Sequence, residues 1–276
     1  MVHTDEKAYI TVLTNEHYLI GALVLAKSHS LTNSGIPLYV LVPDTVSDHV
    51  IASLKQNDVP YIKTSNLPDT CYKGSGHWKD TMFKLKIFSL TDYDKIVFID
   101  ADMILLKNID FLFDKPHMSA VIAGKELHPE WDGLNSGLMI IEPNYDEYVG
   151  LVSLIEASFQ DRSAAGLPFG DQDVLEKYYT DWKQCSQLHL PSVYNVLLGY
   201  AGVLKEQNII TSIDDVYLYH FTGKQKPWGS FKDNIIVLIK ILLRSRHFGV
   251  DLAIYRKYRK MQKTITINSQ PLAPLE

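Results

Sequence analysis

Cysteine, long apolar runs and low-complexity segments are all scarce in this chain of 276 residues. The two cysteines, Cys71 and Cys185, lie far apart and form no Cys-x-x-Cys pattern, which argues against a disulfide framework or a zinc cluster. No segment reaches the length needed to span a bilayer. The N-terminus lacks the basic start and apolar stretch of a secretory signal. We therefore expect a cytoplasmic protein.

Two phosphate-binding signatures are also missing, the Gly-x-Gly-x-x-Gly loop and the Gly-Lys-Ser/Thr loop. A phosphate ligand would have to be neutralised by other groups, such as a metal ion or lysine side chains. Lys84, Lys224 and Lys226 are the available lysines, because a lysine acts as a point charge that follows a moving phosphate.

Charge is distributed unevenly along the chain, whose net charge is −5. Residues 235–263 contain eight Lys or Arg and one Asp, a local net charge of +7, so the remainder carries −12. This stretch opens with nine residues that are apolar apart from Lys240. It predicts either peripheral contact with the inner face of an anionic membrane or a terminal helix packed on the core. We expect no nucleic-acid partner.

Predicted strands and helices alternate through the first half of the chain, the pattern of a parallel sheet covered by helices. The composition, 46% apolar and 21% charged, suits an α/β fold with one large core. The predicted strands are 8–13, 37–42, 59–63, a strand ending at 100, 120–123, 137–141 and 216–221. The predicted helices are 18–30, 47–56, 81–89, 145–160 and 171–179, with a helical turn at 108–113.

The run from Lys95 to Asp102 is the most informative segment, since a strongly apolar strand ends in an Asp-x-Asp pair. Ligands collect beyond the carboxyl ends of strands in open α/β sheets. Asp100 and Asp102 would repel each other there unless a cation lay between them. A hard or borderline cation, Mn²⁺ or Mg²⁺, holding a diphosphate is one interpretation. An acidic strand-to-loop turn is the other.

Six sequence blocks follow one another in a fixed order: 12–25, 83–85, 97–102, 135–137, 170–172 and 220–228. Together they resemble the glycogenin-like members of glycosyltransferase family 8. The resemblance implies a retaining enzyme with a GT-A fold, a Rossmann-like mixed, mostly parallel sheet flanked by helices. It places a glycosyltransferase domain at 1–232 and leaves 233–276 as a helical, basic C-terminal segment. It also implies a homodimer.

The resemblance assigns a role to individual residues. Asp100, Asp102 and His220 would bind Mn²⁺, with Mg²⁺ as the alternative. The uridine pocket would consist of Val12, Thr14, Asn15 and Tyr18. Lys84 and Ala101 would lie beside the ribose or the sugar, and Gly223 and Lys226 would meet the diphosphate. The transferred sugar would contact Asn135, Ser136, Asp171 and Gln172. Lys84, Asp171 and Gln172 are the catalytic candidates.

The implied reaction moves a hexose from a UDP-sugar to an acceptor hydroxyl, with glucose as the first expectation and galactose as the second. The acceptor would be a glycan, a lipid-linked glycan or a protein. Retention requires a covalent intermediate or same-face attack, and we favour same-face attack with Asp171 orienting the sugar or acceptor. Self-glycosylation is doubtful because Tyr200 does not align convincingly with the self-glucosylated tyrosine of glycogenin.

Three other functions are alternatives for the same residues. A haloacid-dehalogenase-type phosphatase would use Asp100 as nucleophile and Asp102 as acid and base, but three predicted strands precede this pair. A nucleotidyltransferase would open with a Gly-rich basic loop, which residues 14–17 do not provide. A non-catalytic nucleotide-sugar sensor would need the ligands without turnover.

Overall fold

The computed structural model describes residues 6–71, 76–122 and 124–267. Within these ranges the strands are β1 Lys7–Val12, β2 Leu38–Pro43, β3 Tyr61–Thr64, β4 Lys95–Ile99, β5 Met103–Leu105, β6 Ala120–Val121, β7 Asn135–Ile141, β8 His189–Leu190, β9 Val196–Leu197 and β10 Leu218–His220. The α-helices of the same ranges are α1 Leu19–Ser30, α2 Asp48–Gln56, α3 Tyr145–Ser153, α4 Ile155–Ala164, α5 Asp171–Tyr178, α6 Ala201–Glu206, α7 Phe231–Arg244 and α8 Gly249–Gln262.

Seven strands form the main sheet in the order β3-β2-β1-β4-β7-β6-β8. Strands β1 to β4 are parallel, as the alternation of strands and helices predicts, and β7 pairs antiparallel with both β4 and β6. β4 reads as an unbroken apolar run because both its faces are covered, and Ile96 to Ile99 are fully buried. The predicted mixed, mostly parallel sheet flanked by helices is confirmed.

A second, three-stranded sheet has the order β5-β10-β9. In it β10 pairs antiparallel with β5, so that His220 lies opposite Met103. Because β5 starts directly after Asp102, this pairing brings the late part of the chain to the carboxyl end of β4. The sequence interpretation missed β5 and β9, since strands of two or three residues carry no measurable periodicity.

Several helix predictions need correction. The helix expected at 145–160 breaks at Leu154, whose N–H bonds to the Leu151 carbonyl at 3.1 Å, and the turn keeps Leu151 and Ile155 both buried. The helix expected at 81–89 belongs to a 3-10 helix, Gly76–Ser89, buried on nearly every side from Met82 to Phe88. Tertiary packing decides the geometry of such a segment.

The expected terminal helix is two helices. α7 ends at Arg244; the backbone of the next residue, Ser245, is extended, and its side-chain oxygen accepts from the His247 N–H at 2.9 Å. α8 then packs against α1, and its buried residues join the main core. The boundary predicted at 232–233 stays a prediction. The predicted strand 120–123 is observed as β6, and Ala123 lies outside the described residues.

Candidate active site

Asp100 and Asp102 form a turn between β4 and β5, at the carboxyl end of the parallel strands. The Met103 N–H donates to the Asp100 carbonyl at 3.1 Å and closes this turn. The Asp102 carbonyl accepts from the Phe221 N–H at 2.9 Å, directly after His220. These backbone bonds bring the two carboxylates and the imidazole together from positions about 120 residues apart in the chain.

The three side chains offer one ligand atom each, and these atoms all lie within 4.8 Å of one another. His220 Nε2 is 3.1 Å from Asp102 Oδ1 and 3.9 Å from Asp100 Oδ2. The second oxygen of each carboxylate has a lysine partner. Asp100 Oδ1 lies 3.0 Å from Lys84 Nζ, and Asp102 Oδ2 pairs with Lys226 Nζ.

The imidazole orientation suits a metal ligand. His220 Nδ1 lies 3.1 Å from Asn195 Oδ1, whose own amide nitrogen donates to Asn135 Oδ1 at 2.7 Å. Asn195 Oδ1 is an acceptor, so it suits a proton on Nδ1 and leaves Nε2 as the ring nitrogen that faces Asp102. In that tautomer, Nε2 and Asp102 Oδ1 are two acceptors 3.1 Å apart, an arrangement that a metal cation between them would stabilise. Two carboxylate oxygens and one imidazole nitrogen are a donor set suited to Mn²⁺.

Lys84 joins the metal-ligand group to the predicted sugar-binding residues. Its Nζ contacts Asp100 at 3.0 Å and Asp171 at 2.9 Å, and it donates to Ser136 Oγ at 3.0 Å. Burial would lower the pKa of Lys84, but the charges of Asp100 and Asp171 outweigh it and raise that pKa. The ammonium group is therefore permanently charged.

The two aspartates have opposite electrostatic environments. Burial raises the pKa of Asp100 in spite of Lys84. Burial also acts on Asp102, but Lys226 and His220 outweigh it and lower the pKa of Asp102 far below its ordinary value.

Asp171 is the first residue of α5, and its carboxylate is not used as a helix cap. The N-cap is Gly170, whose N–H donates to the side chain of Asp173 at 2.7 Å. Next to it, Gln172 Oε1 accepts from the Ser136 N–H at 3.2 Å and from Asn135 Nδ2 at 3.3 Å. The Asp171 carboxylate instead pairs with Lys84.

The predicted uridine-pocket residues lie at the end of β1, which is the neighbour of β4 in the main sheet. Asn15 accepts from the His17 N–H at 3.1 Å and donates to Asp80 at 2.9 Å. Tyr18 is half-buried, with its ring centroid 5.5 Å from Lys226 Nζ. Val12 and Thr14 are also half-buried at this edge.

The helix α1 packs closely against the Asp-x-Asp turn, which contains Ala101. A Cβ added at Gly21 would lie 2.5 Å from the Ala101 carbonyl oxygen and 2.7 Å from the ring of Trp228. Glycine is thus required for α1 to approach the Asp-x-Asp turn this closely.

The segment after β10 turns back over the carboxylates. Gly223 has φ +93°, a left-handed conformation that favours glycine. Lys226 is buried and bonds to the Phe221 carbonyl at 2.9 Å as well as to Asp102. Trp228 Nε1 donates to the His17 carbonyl at 2.7 Å and joins this segment to the β1 edge. Lys224, in contrast, is exposed.

The structure therefore brings most of the predicted site residues into one connected group: Asp100, Asp102, His220, Lys84, Lys226, Asn135, Ser136, Asp171 and Gln172. Two residues that contact predicted site residues, Asn195 beside His220 and Asp80 beside Asn15, were missed. No local pattern marks either of them, because their partners lie 25 and 65 positions away.

Comparison with known proteins places this geometry in a family. The sequence profile of "Glycosyl transferase family 8" matches residues 9–232. The chain belongs to glycosyltransferase family 8. Glycogenin-1 of Mus musculus is 32% identical over 235 residues, 81% of this chain and 66% of that protein. UDP-glucuronate:xylan alpha-glucuronosyltransferase 2 of Arabidopsis thaliana is 31% identical over 234 residues, 82% of this chain and 36% of that protein.

The solved structures agree on the fold of this family 8 chain. The galactosyltransferase LgtC, in complex with donor and acceptor sugar analogues, aligns with a TM-score of 0.62 at 15% identity, covering 96% of this chain and 98% of LgtC. The glycosyltransferase GlyE of Streptococcus pneumoniae TIGR4 aligns with a TM-score of 0.57 at 18% identity, covering 96% of this chain and 66% of GlyE. The GT-A fold implied by the sequence blocks is confirmed.

Membership of glycosyltransferase family 8, with glycogenin-1 among the relatives, favours sugar transfer over the phosphatase alternative. GT-A glycosyltransferases of this kind use a divalent metal and a nucleotide sugar, and the Asp100, Asp102 and His220 group is compatible with such a metal. The two relatives named above are longer than this chain, which spans 66% of the length of glycogenin-1 and 36% of the length of the glucuronosyltransferase.

Proposed function

We propose that the protein is a retaining hexosyltransferase that uses a UDP-sugar and Mn²⁺. UDP-glucose is the first candidate donor and UDP-galactose the second, and the acceptor is a hydroxyl of a glycan, a lipid-linked glycan or a protein. The observation that carries the proposal is the Asp100, Asp102 and His220 group with a buried lysine on each carboxylate.

The charge of the group explains why a metal would be needed. Lys84 also pairs with Asp171, so three carboxylates and two ammonium groups leave a net charge of −1, which repels a diphosphate. A divalent cation held by the two aspartates and His220 would change this sum to +1 and stabilise the negative charge that develops on the departing UDP. Lys226 then has two roles: it neutralises Asp102 and lies ready to meet the diphosphate.

The remaining residues divide between the nucleotide and the sugar. Val12, Thr14, Asn15 and Tyr18, at the end of β1, would form the uridine pocket. Ala101 and Lys84 would lie beside the ribose or the sugar, with Gly223 allowing the backbone to approach the phosphates. Asn135, Ser136 and Gln172 are joined by hydrogen bonds, and this rigid surface would orient the transferred sugar.

Asp171 is a better positioning group than nucleophile. The ammonium group of Lys84, 2.9 Å away, restrains its carboxylate and neutralises the charge that an attacking oxygen would need. We therefore favour attack by the acceptor on the face from which UDP departs, with Asp171 holding the sugar or the acceptor hydroxyl. Gln172, an amide, is a weaker nucleophile still.

An Asp171→Asn variant separates binding from chemistry. We expect kcat to fall about 100-fold or more, because an interaction used mainly in the transition state is lost. The affinity for UDP, measured by calorimetry with Mn²⁺, should stay close to that of the wild type. Unchanged turnover would remove Asp171 from the mechanism. The matched control is Asp173→Asn, which changes the neighbouring acceptor of the Gly170 N–H and touches no part of the metal-ligand group.

Asn195 should act through His220. Replacing it by Ala removes the acceptor that holds the Nδ1 proton, and we expect Mn²⁺ affinity to fall about 10–100-fold. Calorimetric titration of the protein with Mn²⁺ alone gives this readout without turnover. Asn195→Asp keeps an acceptor for Nδ1 and should retain more affinity than Asn195→Ala. Equal affinities in all three proteins would show that Asn195 has no positioning role. Asn66→Ala, which removes an exposed Asn paired with Thr45, is the control.

A donor panel tests the proposal as a whole. UDP-glucose, UDP-galactose and UDP-glucuronate are each incubated with Mn²⁺, with Mg²⁺ or with a chelator, and UDP release is followed. UDP-glucuronate enters because it is printed in the name of the Arabidopsis thaliana relative UDP-glucuronate:xylan alpha-glucuronosyltransferase 2. We expect release from one of the hexose donors, abolished by the chelator. Binding of UDP without release from any donor would favour the non-catalytic sensor instead.

A further inference from the structure

One helix carries an apolar face that the fold leaves exposed. On α7 the exposed fractions are 83% for Phe231, 40% for Ile235, 46% for Ile239, 48% for Leu242 and 80% for Leu243. Their spacing of four, four, three and one residues places them on one side of the helix. The opposite side packs through Val237 and Ile241, both fully buried in the main core. We call the exposed side the α7 face.

The apolar side of α8 is used differently. Ile254, Tyr255 and Tyr258 are buried in the main core, so both tyrosines of the basic C-terminal stretch lie inside the fold. The membrane contact predicted for residues 235–263 would therefore be made by the α7 face. Among the described residues, none of the helices has the length and apolar character of a membrane span. With 14 residues, α7 measures about 21 Å, which is shorter than the hydrocarbon core of a bilayer.

The helix α7 borders the candidate active site through Lys240, which lies beside the α7 face and is not part of it. Lys240 Nζ donates to Gln225 Oε1 at 2.9 Å and lies 3.3 Å from the position of a Cβ at Gly223, in the segment that carries Lys226. Near the other end of α7, the Arg244 guanidinium lies 4.7 Å from the ring centroid of Tyr200.

Basic residues at the edge of the α7 face indicate which kind of surface it would bind. Lys232, Arg244 and Arg246 are exposed, and Arg246, with 82% of its side chain accessible, forms a surface ion pair with Glu206 at 3.7 Å. The nearby acids are engaged locally. Asp233 accepts from Ser230 at the start of α7, and Glu206 accepts from the hydroxyl of Ser245 and from the Arg246 N–H. An apolar strip with a basic rim complements an anionic lipid surface. Two copies meeting through it would bring two positive rims together.

We propose that the α7 face rests on an anionic membrane surface, with the five apolar side chains entering the lipid boundary and the basic rim contacting the headgroups. The mouth of the candidate active site then opens beside the lipid. This inference does not depend on the donor or on turnover.

Vesicle sedimentation of the full chain tests the proposed membrane contact of the α7 face. Vesicles of phosphatidylcholine with about 30 mol% phosphatidylglycerol should bind the protein, and pure phosphatidylcholine should bind it weakly. A Phe231→Glu and Leu243→Glu double variant should bind the anionic vesicles about 10-fold more weakly or worse. The matched control replaces two exposed apolar residues elsewhere, Leu31→Glu and Ile209→Glu, and should bind as the wild type does.

Further measurements separate a loss of membrane contact from misfolding and test the contribution of charge. The double variant should unfold cooperatively at a Tm close to that of the wild type, which shows that it is folded. Lys232→Glu with Arg246→Glu should weaken binding without removing any apolar contact, and raised salt should weaken wild-type binding. The proposal is overturned if the wild type ignores anionic vesicles or if the double variant binds them equally well. It is also overturned if size-exclusion chromatography shows a dimer that the double variant abolishes, since a second copy would then cover the face.

Discussion

Replacing Asp102 by Asn should reduce kcat/KM by about 1,000-fold, equivalent to about 4 kcal/mol of transition-state stabilisation. The variant loses one anionic ligand of the proposed metal group and also leaves Lys226 without its charged partner. The pKa of Asp102 lies well below its ordinary range, so the wild-type carboxylate is ionised at every pH at which the enzyme would be assayed. The amide removes that charge but keeps the shape of the side chain.

Two measurements distinguish this loss from misfolding. The Mn²⁺ titration should show weakened binding, whereas thermal unfolding should still show a cooperative transition. Asp132→Asn is the control, because this exposed carboxylate pairs with Lys183 at the surface and such pairs are worth about 0–1 kcal/mol. Full activity of Asp102→Asn in the presence of a chelator would show that the metal-dependent reaction proposed for this site is wrong.

Much of the sheet follows from local sequence. The apolar run Lys95–Ile99 predicts a strand buried on both faces, and β4 lies at the centre of the seven-stranded sheet. Ser47 predicts the start of α2, and its side chain accepts from the Val50 N–H. Both signals act over a few residues, so neighbouring parts of the chain do not override them.

Features that depend on distant contacts were not predicted. Asn195 matters only because the fold places it between His220 and Asn135, 25 and 60 positions away. The break at Leu154 and the 3-10 geometry before Ser89 depend on tertiary packing, which overrides the propensity of a helical pattern. Knowledge of a family supplied the site residues as a set, whereas residue spacing alone supplied the Asp-x-Asp pair and left open whether it was a turn.

Lys84 offers the largest expected effect on stability. It is buried and pairs with both Asp100 and Asp171, so Lys84→Met leaves two buried carboxylates without their shared positive charge. Removing one partner of a buried ion pair costs about 3–5 kcal/mol, and we expect a loss of this size in the free energy of unfolding, measured by chemical denaturation. Activity should fall as well, because the sugar-binding side chains lose their link to the metal ligands.

Lys86→Met is the matched control, since Lys86 lies two positions away, is similarly buried and contacts Ser65 and the ring of Tyr148 rather than a carboxylate. Burial lowers the pKa of Lys86, so replacing it should change stability by about 1 kcal/mol or less.

The loss of stability caused by Lys84→Met should also depend on pH. Burial already raises the pKa of Asp100, and losing Lys84 raises it further, so this carboxyl becomes neutral as the pH falls and no longer needs a counter-charge. The stability difference from the wild type should therefore be largest near neutral pH and shrink in acid. A difference that is constant with pH, or equal for the two variants, would mean that Lys84 contributes packing rather than charge.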